Sequence, residues 1–240
     1  MDFDFSRKIP IGVQSFEVMR NDKFLYVDKT HFLFKLAHSN RVYFLSRPRR
    51  FGKSLFLSTL KAYFLGQKEL FKSLFIEKAE EKRAEIEKTG SWIEYPVLYM
   101  DFNIGKYDEP HSLKSHLNLT LTQFEEIYGA HRQEEEPAQR FAGIIQRAYK
   151  KTGHQVVILV DEYDKPLLQT MGVNEALNEE YRNTLKTFYS VIKTCDQYIR
   201  FAFLTGVTKF SKISIFSDLN NLQDISMLNE LCRNMRTDSK

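Results

Sequence analysis

The sequence predicts an α/β fold, a mostly parallel sheet flanked by helices, and three observations predict it. Four short apolar runs, beginning at Val42, Tyr95, Val156 and Ile199, alternate with segments of helical length and spacing. That is the pattern of strands joined by right-handed helical crossovers. One run, Val156-Val157-Ile158-Leu159-Val160, is unbroken and rich in β-branched residues, as a strand covered on both faces requires. Each run also ends in polar residues at its carboxyl end, the edge at which ligands bind in such sheets.

In chain order, residues 1–41 precede the first run and contain two helical candidates, Val13 to Arg20 and Lys29 to His38, around Phe24-Leu25-Tyr26-Val27-Asp28. Asp28 suits an N-cap, so Asp28-Lys29-Thr30 reads as a cap and a solvated turn. The first run, Val42-Tyr43-Phe44-Leu45, leads through a turn containing Pro48 and Gly52 into the apolar helix-length segment Leu55 to Leu65. Glu69 to Leu74 follows, then Glu77 to Lys88, dense in both signs. Its Glu81, Glu85, Lys78, Lys82 and Lys88 predict a solvent-facing helix that Gly90 ends.

The second strand is predicted over Tyr95 to Asp101, with Pro96 tolerated at its start. Helical spacing returns over His111 to Tyr128 and Gln139 to Lys150, joined by the charged loop Glu134-Glu135-Glu136-Pro137. The third strand ends on Asp161-Glu162-Tyr163-Asp164. A long helix from Asn174 to Thr194 then leads to the fourth strand, Ile199 to Leu204, which ends on Thr205-Gly206. With no internal repeat and no low-complexity linker, residues 1–240 are read as one domain: an extension over 1–41, a core over 42–226 and a short polar tail over 227–240.

The 240 residues suffice for a sizeable core, and twenty Phe with twelve Tyr rule out a disordered composition. Lys plus Arg exceed Asp plus Glu by 35 − 31 = 4, too little to demand a nucleic-acid partner. The local cluster Arg47, Arg49, Arg50 and Lys53 is more informative than the total. Cys195 and Cys232 are far apart and fit neither a disulfide framework nor a zinc site. The N-terminus has no apolar signal core and no run reaches membrane-spanning length, so a soluble cytoplasmic protein is expected, with no membrane partner. The scattered His residues, the absence of Gly-x-Ser-x-Gly and the settings of both Cys exclude the common metal-protease and nucleophile motifs.

A strand, a glycine turn and a helix together form the scaffold of a phosphate cradle. Gly52 lets the backbone approach an anion, Lys53 supplies fixed charge, and the Ser54 hydroxyl can ligate Mg²⁺. The stretch Arg47-Pro48-Arg49-Arg50-Phe51-Gly52-Lys53-Ser54-Leu55 is therefore the expected nucleotide-binding segment, although Arg47 stands where such loops usually place their first Gly. Asp161 would give the metal a second contact and Glu162 would polarise the attacking water. Thr205, at a neighbouring strand tip, would help hold that water. Asp161 and Glu162 can serve together only if the backbone turns between them, because successive strand residues face opposite ways.

The same residues resemble a known family. The Arg-rich loop Arg47 to Ser54, the earlier Tyr26-Val27-Asp28-Lys29-Thr30, Asp161-Glu162-Tyr163-Asp164-Lys165-Pro166, Thr205-Gly206-Val207 and Phe216-Ser217-Asp218-Leu219-Asn220-Asn221-Leu222 are similar to the bacterial AAA-ATPase-like family. In that family the Arg-rich loop replaces the first Gly. The resemblance implies a three-layer P-loop NTPase of the additional-strand class, with ATP and Mg²⁺ as cofactors and the metal and water roles on Asp161 and Glu162. Many members continue into a helical lid and a nuclease domain, and residues 227–240 are expected to be too short for either. The function expected is a Mg-dependent ATPase. The alternative is a nucleotide-gated module, with little or no turnover, whose Arg47, Arg49 and Arg50 meet nucleic acid or a partner protein.

Overall fold

The computed structural model describes residues 8–208, 215–216 and 222–226. Its helices are α1 (Phe16–Asn21), α2 (Thr30–Ala37), α3 (Lys53–Phe64), α4 (Phe75–Glu87), α5 (Ser112–Tyr128), α6 (Pro137–Thr152), α7 (Lys165–Thr170) and α8 (Glu175–Thr194). The strands are β1 (Val42–Ser46), β2 (Val97–Asp101), β3 (Val156–Asp161), β4 (Ile199–Gly206) and β5 (Gln223–Asp224). They form one sheet in the order β2-β3-β4-β1-β5, and every pairing is parallel. The α/β fold predicted from the sequence is the fold observed, and β4 stands between β1 and β3 as the additional strand.

Alternation along the strands divides the apolar side chains between two cores. Val157 and Leu159 of β3, with Phe201 and Phe203 of β4, face α1 to α4. Val156, Ile158 and Val160, with Ala202 and Leu204, face α5 to α8. The elements within residues 8–41 are part of this body: Phe16 of α1 and Leu33 of α2 are fully buried in the first core. Residues 217–221 of the Phe216 to Leu222 motif, and the tail 227–240, lie outside the described residues.

Several expectations change in detail. Asp28 accepts from the N–H and hydroxyl of Thr30 (2.8 and 2.7 Å) and from Phe75 N (2.7 Å), so one carboxylate ties the starts of α2 and α4 together, while the backbone cap of α2 is Lys29. α4 ends at Glu87 and is closed by Lys88 in the left-handed region, two residues before Gly90. It is also not entirely a wet helix, because Glu80 is 1 % exposed. The charged loop before α6 is a cap: Glu136 and Gln139 form a capping box, and Glu134 pairs with the two terminal guanidinium nitrogens of Arg147 at 2.6 and 2.9 Å.

Candidate nucleotide-binding site

β1 delivers the loop. Ser46 donates through its hydroxyl to Val207 O (3.0 Å) and its N–H is met by the Ser226 hydroxyl (2.8 Å), while Arg47 N donates to Gly206 O (3.1 Å). The start of the loop is therefore anchored to the tip of β4. The turn then uses two left-handed residues, Arg50 (φ 68°) and Gly52 (φ 72°). At Gly52 the conformation, not crowding, calls for glycine, because a Cβ there would meet nothing within 4 Å. That open space lies at the start of α3, whose first turn has no side-chain cap. A capless helix start leaves N–H groups and the positive end of the helix dipole to an anion.

Lys53, 4 % exposed, folds back along the loop. Its Nζ donates to Arg47 O (2.9 Å) and Pro48 O (3.3 Å) and pairs with Glu162 Oε1 at 2.9 Å. Glu162 reaches it because the chain leaves β3 at Asp161 and enters the left-handed region at Glu162, φ 54°. The backbone turn that both carboxylates require is present. Burial pushes the Glu162 carboxyl above its ordinary value, the Lys53 ammonium pulls it partly back, and Asp161 and Asp164 add to the rise.

Asp161 is 1 % exposed and accepts a 2.5 Å hydrogen bond from the Thr205 hydroxyl through Oδ1. The same hydroxyl accepts from Glu162 N (3.3 Å), and Tyr163 N donates to Thr205 O (2.9 Å). Thr205 is fully buried between the two carboxylate residues. Ser54 and Asp161 line one cavity of about 230 Å³, together with Asp101, Tyr99 and Lys61. The Ser54 hydroxyl makes no hydrogen bond among the described residues. Leu55 sits behind it, half-buried against the α1 to α4 core.

Two residues near the site have roles the sequence did not indicate. Asp101 ends β2 directly opposite Asp161 in the parallel register, and burial, with the Asp161 charge, holds its carboxyl above the ordinary range. Its end-of-strand position was visible, but its neighbour depended on strand order. Asp164 is the third carboxylate to follow β3 and does not join the other two. Its carboxylate instead accepts from Val207 N (3.0 Å), Thr208 N (2.7 Å) and the Thr208 hydroxyl (2.9 Å), which commits it to fastening the turn after β4.

Arg47 lies half-buried at the root of the loop, whereas Pro48, Arg49, Arg50 and Phe51 are exposed at its tip. Arg49 and Arg50 make no hydrogen bond or ion pair among the described residues. Among those residues no group of three or more His, Cys, Asp and Glu is placed to hold a metal. Ser54 and Asp161 are two hard oxygen donors, which suits Mg²⁺, an ion that keeps several waters and takes few protein ligands. No helix of the described residues is long and apolar enough to cross a membrane.

The chain is similar to an uncharacterized protein in the vnfD 5' region of Azotobacter chroococcum mcd 1, with 42 % identity over 237 residues. The match covers 97 % of this chain and 44 % of that protein, so the chain spans less than half the length of this relative. Residues 10–216 match the AAA-ATPase-like family, described as predicted AAA-ATPase. The match takes in the glycine loop, both strand-end carboxylates and the Thr205 tip, and the chain belongs to this family.

Proposed function

We propose that this protein binds ATP with Mg²⁺ in the cradle between β1 and α3 and hydrolyses it in the cytoplasm. The observation that carries the reading is the meeting of Lys53, Ser54, Asp161 and Glu162 at one sheet edge, beside the uncapped start of α3. In this reading Lys53 and the first N–H groups of α3 hold the phosphates, with the loop from Arg47 to Gly52 wrapped around them. Ser54 and Asp161 hold the metal. When bound, Mg²⁺ supplies neutralising charge on the phosphate oxygens. Thr205 fixes Asp161 and the turn that carries Glu162, and Glu162 orients the attacking water after leaving Lys53.

Lys53→Ala tests the cradle. Wild type should gain thermal stability with Mg-ATP, because a ligand that binds the folded state raises its melting temperature. The variant should show no such gain. An equal shift in a folded Lys53→Ala protein would place the nucleotide elsewhere.

A second reading rests on the exposed tip, where Arg49 and Arg50 have no partner among the described residues. A nucleotide-gated module could present them to a phosphate backbone or an acidic protein surface. Single-stranded and duplex DNA titrated at two salt concentrations separate the readings. Absence of salt-sensitive binding removes nucleic acid from consideration.

A further inference from the structure

The opposite edge of the sheet, where the strands begin, encloses a second cavity of about 460 Å³. That lies in the size range of small-molecule sites, and its wall mixes aromatic rings with charged side chains. Tyr63 and Phe64 at the end of α3, Trp92 and Tyr95 before β2, and Arg200 at the start of β4 all contribute to its wall.

The wall is built around a buried carboxylate. Glu80 accepts from the Tyr63 hydroxyl at 2.5 Å and from Arg83 Nε and Nη2 at 3.2 and 2.9 Å, and His38 Nε2 lies 3.3 Å away. Arg83 also donates to Glu87 (2.6 Å), the Thr89 hydroxyl (3.1 Å) and Gly90 O (3.1 Å), which fastens the loop leading to Trp92. Trp92 itself is held at φ 56°, a conformation that a bulky side chain rarely adopts. Beneath it, a Cβ at Gly66 would lie 2.9 Å from the Trp92 carbonyl oxygen. The indole packs against Phe71 and Tyr63, with ring centres 5.1 and 5.9 Å away, and also borders the cavity.

One cation of the wall lacks a charge partner. The Arg200 guanidinium donates to Ala37 O (2.8 Å) and sits 6.0 Å from the Tyr95 ring centre, yet it has no carboxylate partner among the described residues. Both carboxylates of the wall, Glu80 and Glu87, are already committed to Arg83. Among the described residues, Arg41 pairs only with the exposed Asp196, at 3.7 Å. The cavity therefore carries surplus positive charge beside aromatic faces, and a guanidinium over a ring is suited to a flat anionic partner.

We propose that this cavity is a second binding site, distinct from the nucleotide cradle, for a small planar aromatic anion whose ring lies against Trp92 and Tyr95 and whose acidic group meets Arg200. Trp92 is the single tryptophan of the chain, so its fluorescence reports occupancy directly. The probes are 4-nitrobenzoate and AMP, each compared with an uncharged counterpart, 4-nitrobenzyl alcohol and adenosine. At least one anion should quench Trp92 saturably, and its counterpart should bind about tenfold or more weakly. Arg200→Gln should weaken the anion by about tenfold or more, and Lys53→Ala should leave it unchanged, which separates this site from the cradle. Should Arg200→Gln fail to fold by circular dichroism, Arg41→Gln, at an exposed position, takes its place and should also weaken the anion. The proposal is overturned by the absence of saturable quenching below about 1 mM for both anions, by equal affinity for charged and uncharged probes, or by undiminished affinity in the folded Arg variant.

Discussion

Glu162 sits in a backbone conformation that costs an L-residue about 1–2 kcal/mol, and the return is geometric. A continued strand would send Asp161 and Glu162 to opposite faces of the sheet. The turn lets Asp161 line the Ser54 cavity while Glu162 reaches Lys53. That turn was legible only as a requirement, because neither Asp161-Glu162 nor Tyr163 carries a glycine signal. Glu162→Gln tests the catalytic assignment. The amide keeps the shape, so Mg-ATP binding should survive, while turnover should fall by roughly 10²–10⁴-fold, the usual contribution of a positioned base. Binding and hydrolysis measured on the same preparation decide it, and wild-type turnover would move the role away from Glu162.

The tip of β4 shows how a strand end can be located in the sequence while the need behind one of its residues stays hidden. Thr205-Gly206 was visible as a polar strand end, but the need for glycine comes from a neighbour. A Cβ at Gly206 would lie 2.4 Å from Tyr163 Cε1, and that ring is fully buried against Phe44 and Phe216. Gly206→Ala should therefore destabilise by about 1–3 kcal/mol through overpacking. Urea unfolding would read this as a lower midpoint at unchanged slope, and an unshifted midpoint would show that the ring can move aside. Strands β1 to β4 were readable because each is an apolar run of adequate length. β5 was not, since Gln223–Asp224 is a short polar pair that, among the described residues, pairs with β1 alone. α7 was missed because it starts at Lys165-Pro166, immediately after the carboxylate turn. Glu80 hid for another reason: within a run of charges, nothing local distinguishes the one carboxylate that Tyr63, His38 and Arg83 enclose.

Taken together, the molecule gathers negative charge at one edge of its sheet. The carboxyls of Asp101, Glu162 and Asp164 are all held above their ordinary values, with burial as the leading cause in each. A carboxyl whose folded value is raised contributes stability that is fully present below its unfolded value, near pH 4, and lost as pH rises through the folded value. Glu125 acts in the opposite sense, because Arg140 lowers its value, so its contribution is lost as pH falls. Asp101→Asn isolates one term, since the amide oxygen can still accept from Asn103 N. The melting temperature of the variant minus that of wild type should grow from about pH 4 to about pH 7. A constant difference would show that Asp101 titrates alike in both states. The inserted strand β4 also acts as a gauge block. With neighbouring strands about 4.8 Å apart, it holds the loop after β1 and the carboxylates after β3 about 10 Å apart. Lys53 and Glu162 bridge that gap only by reaching toward each other. Substitutions within β4 that keep it a strand leave the gauge unchanged, whereas a one-residue slip would keep the width and turn Thr205 to the wrong face.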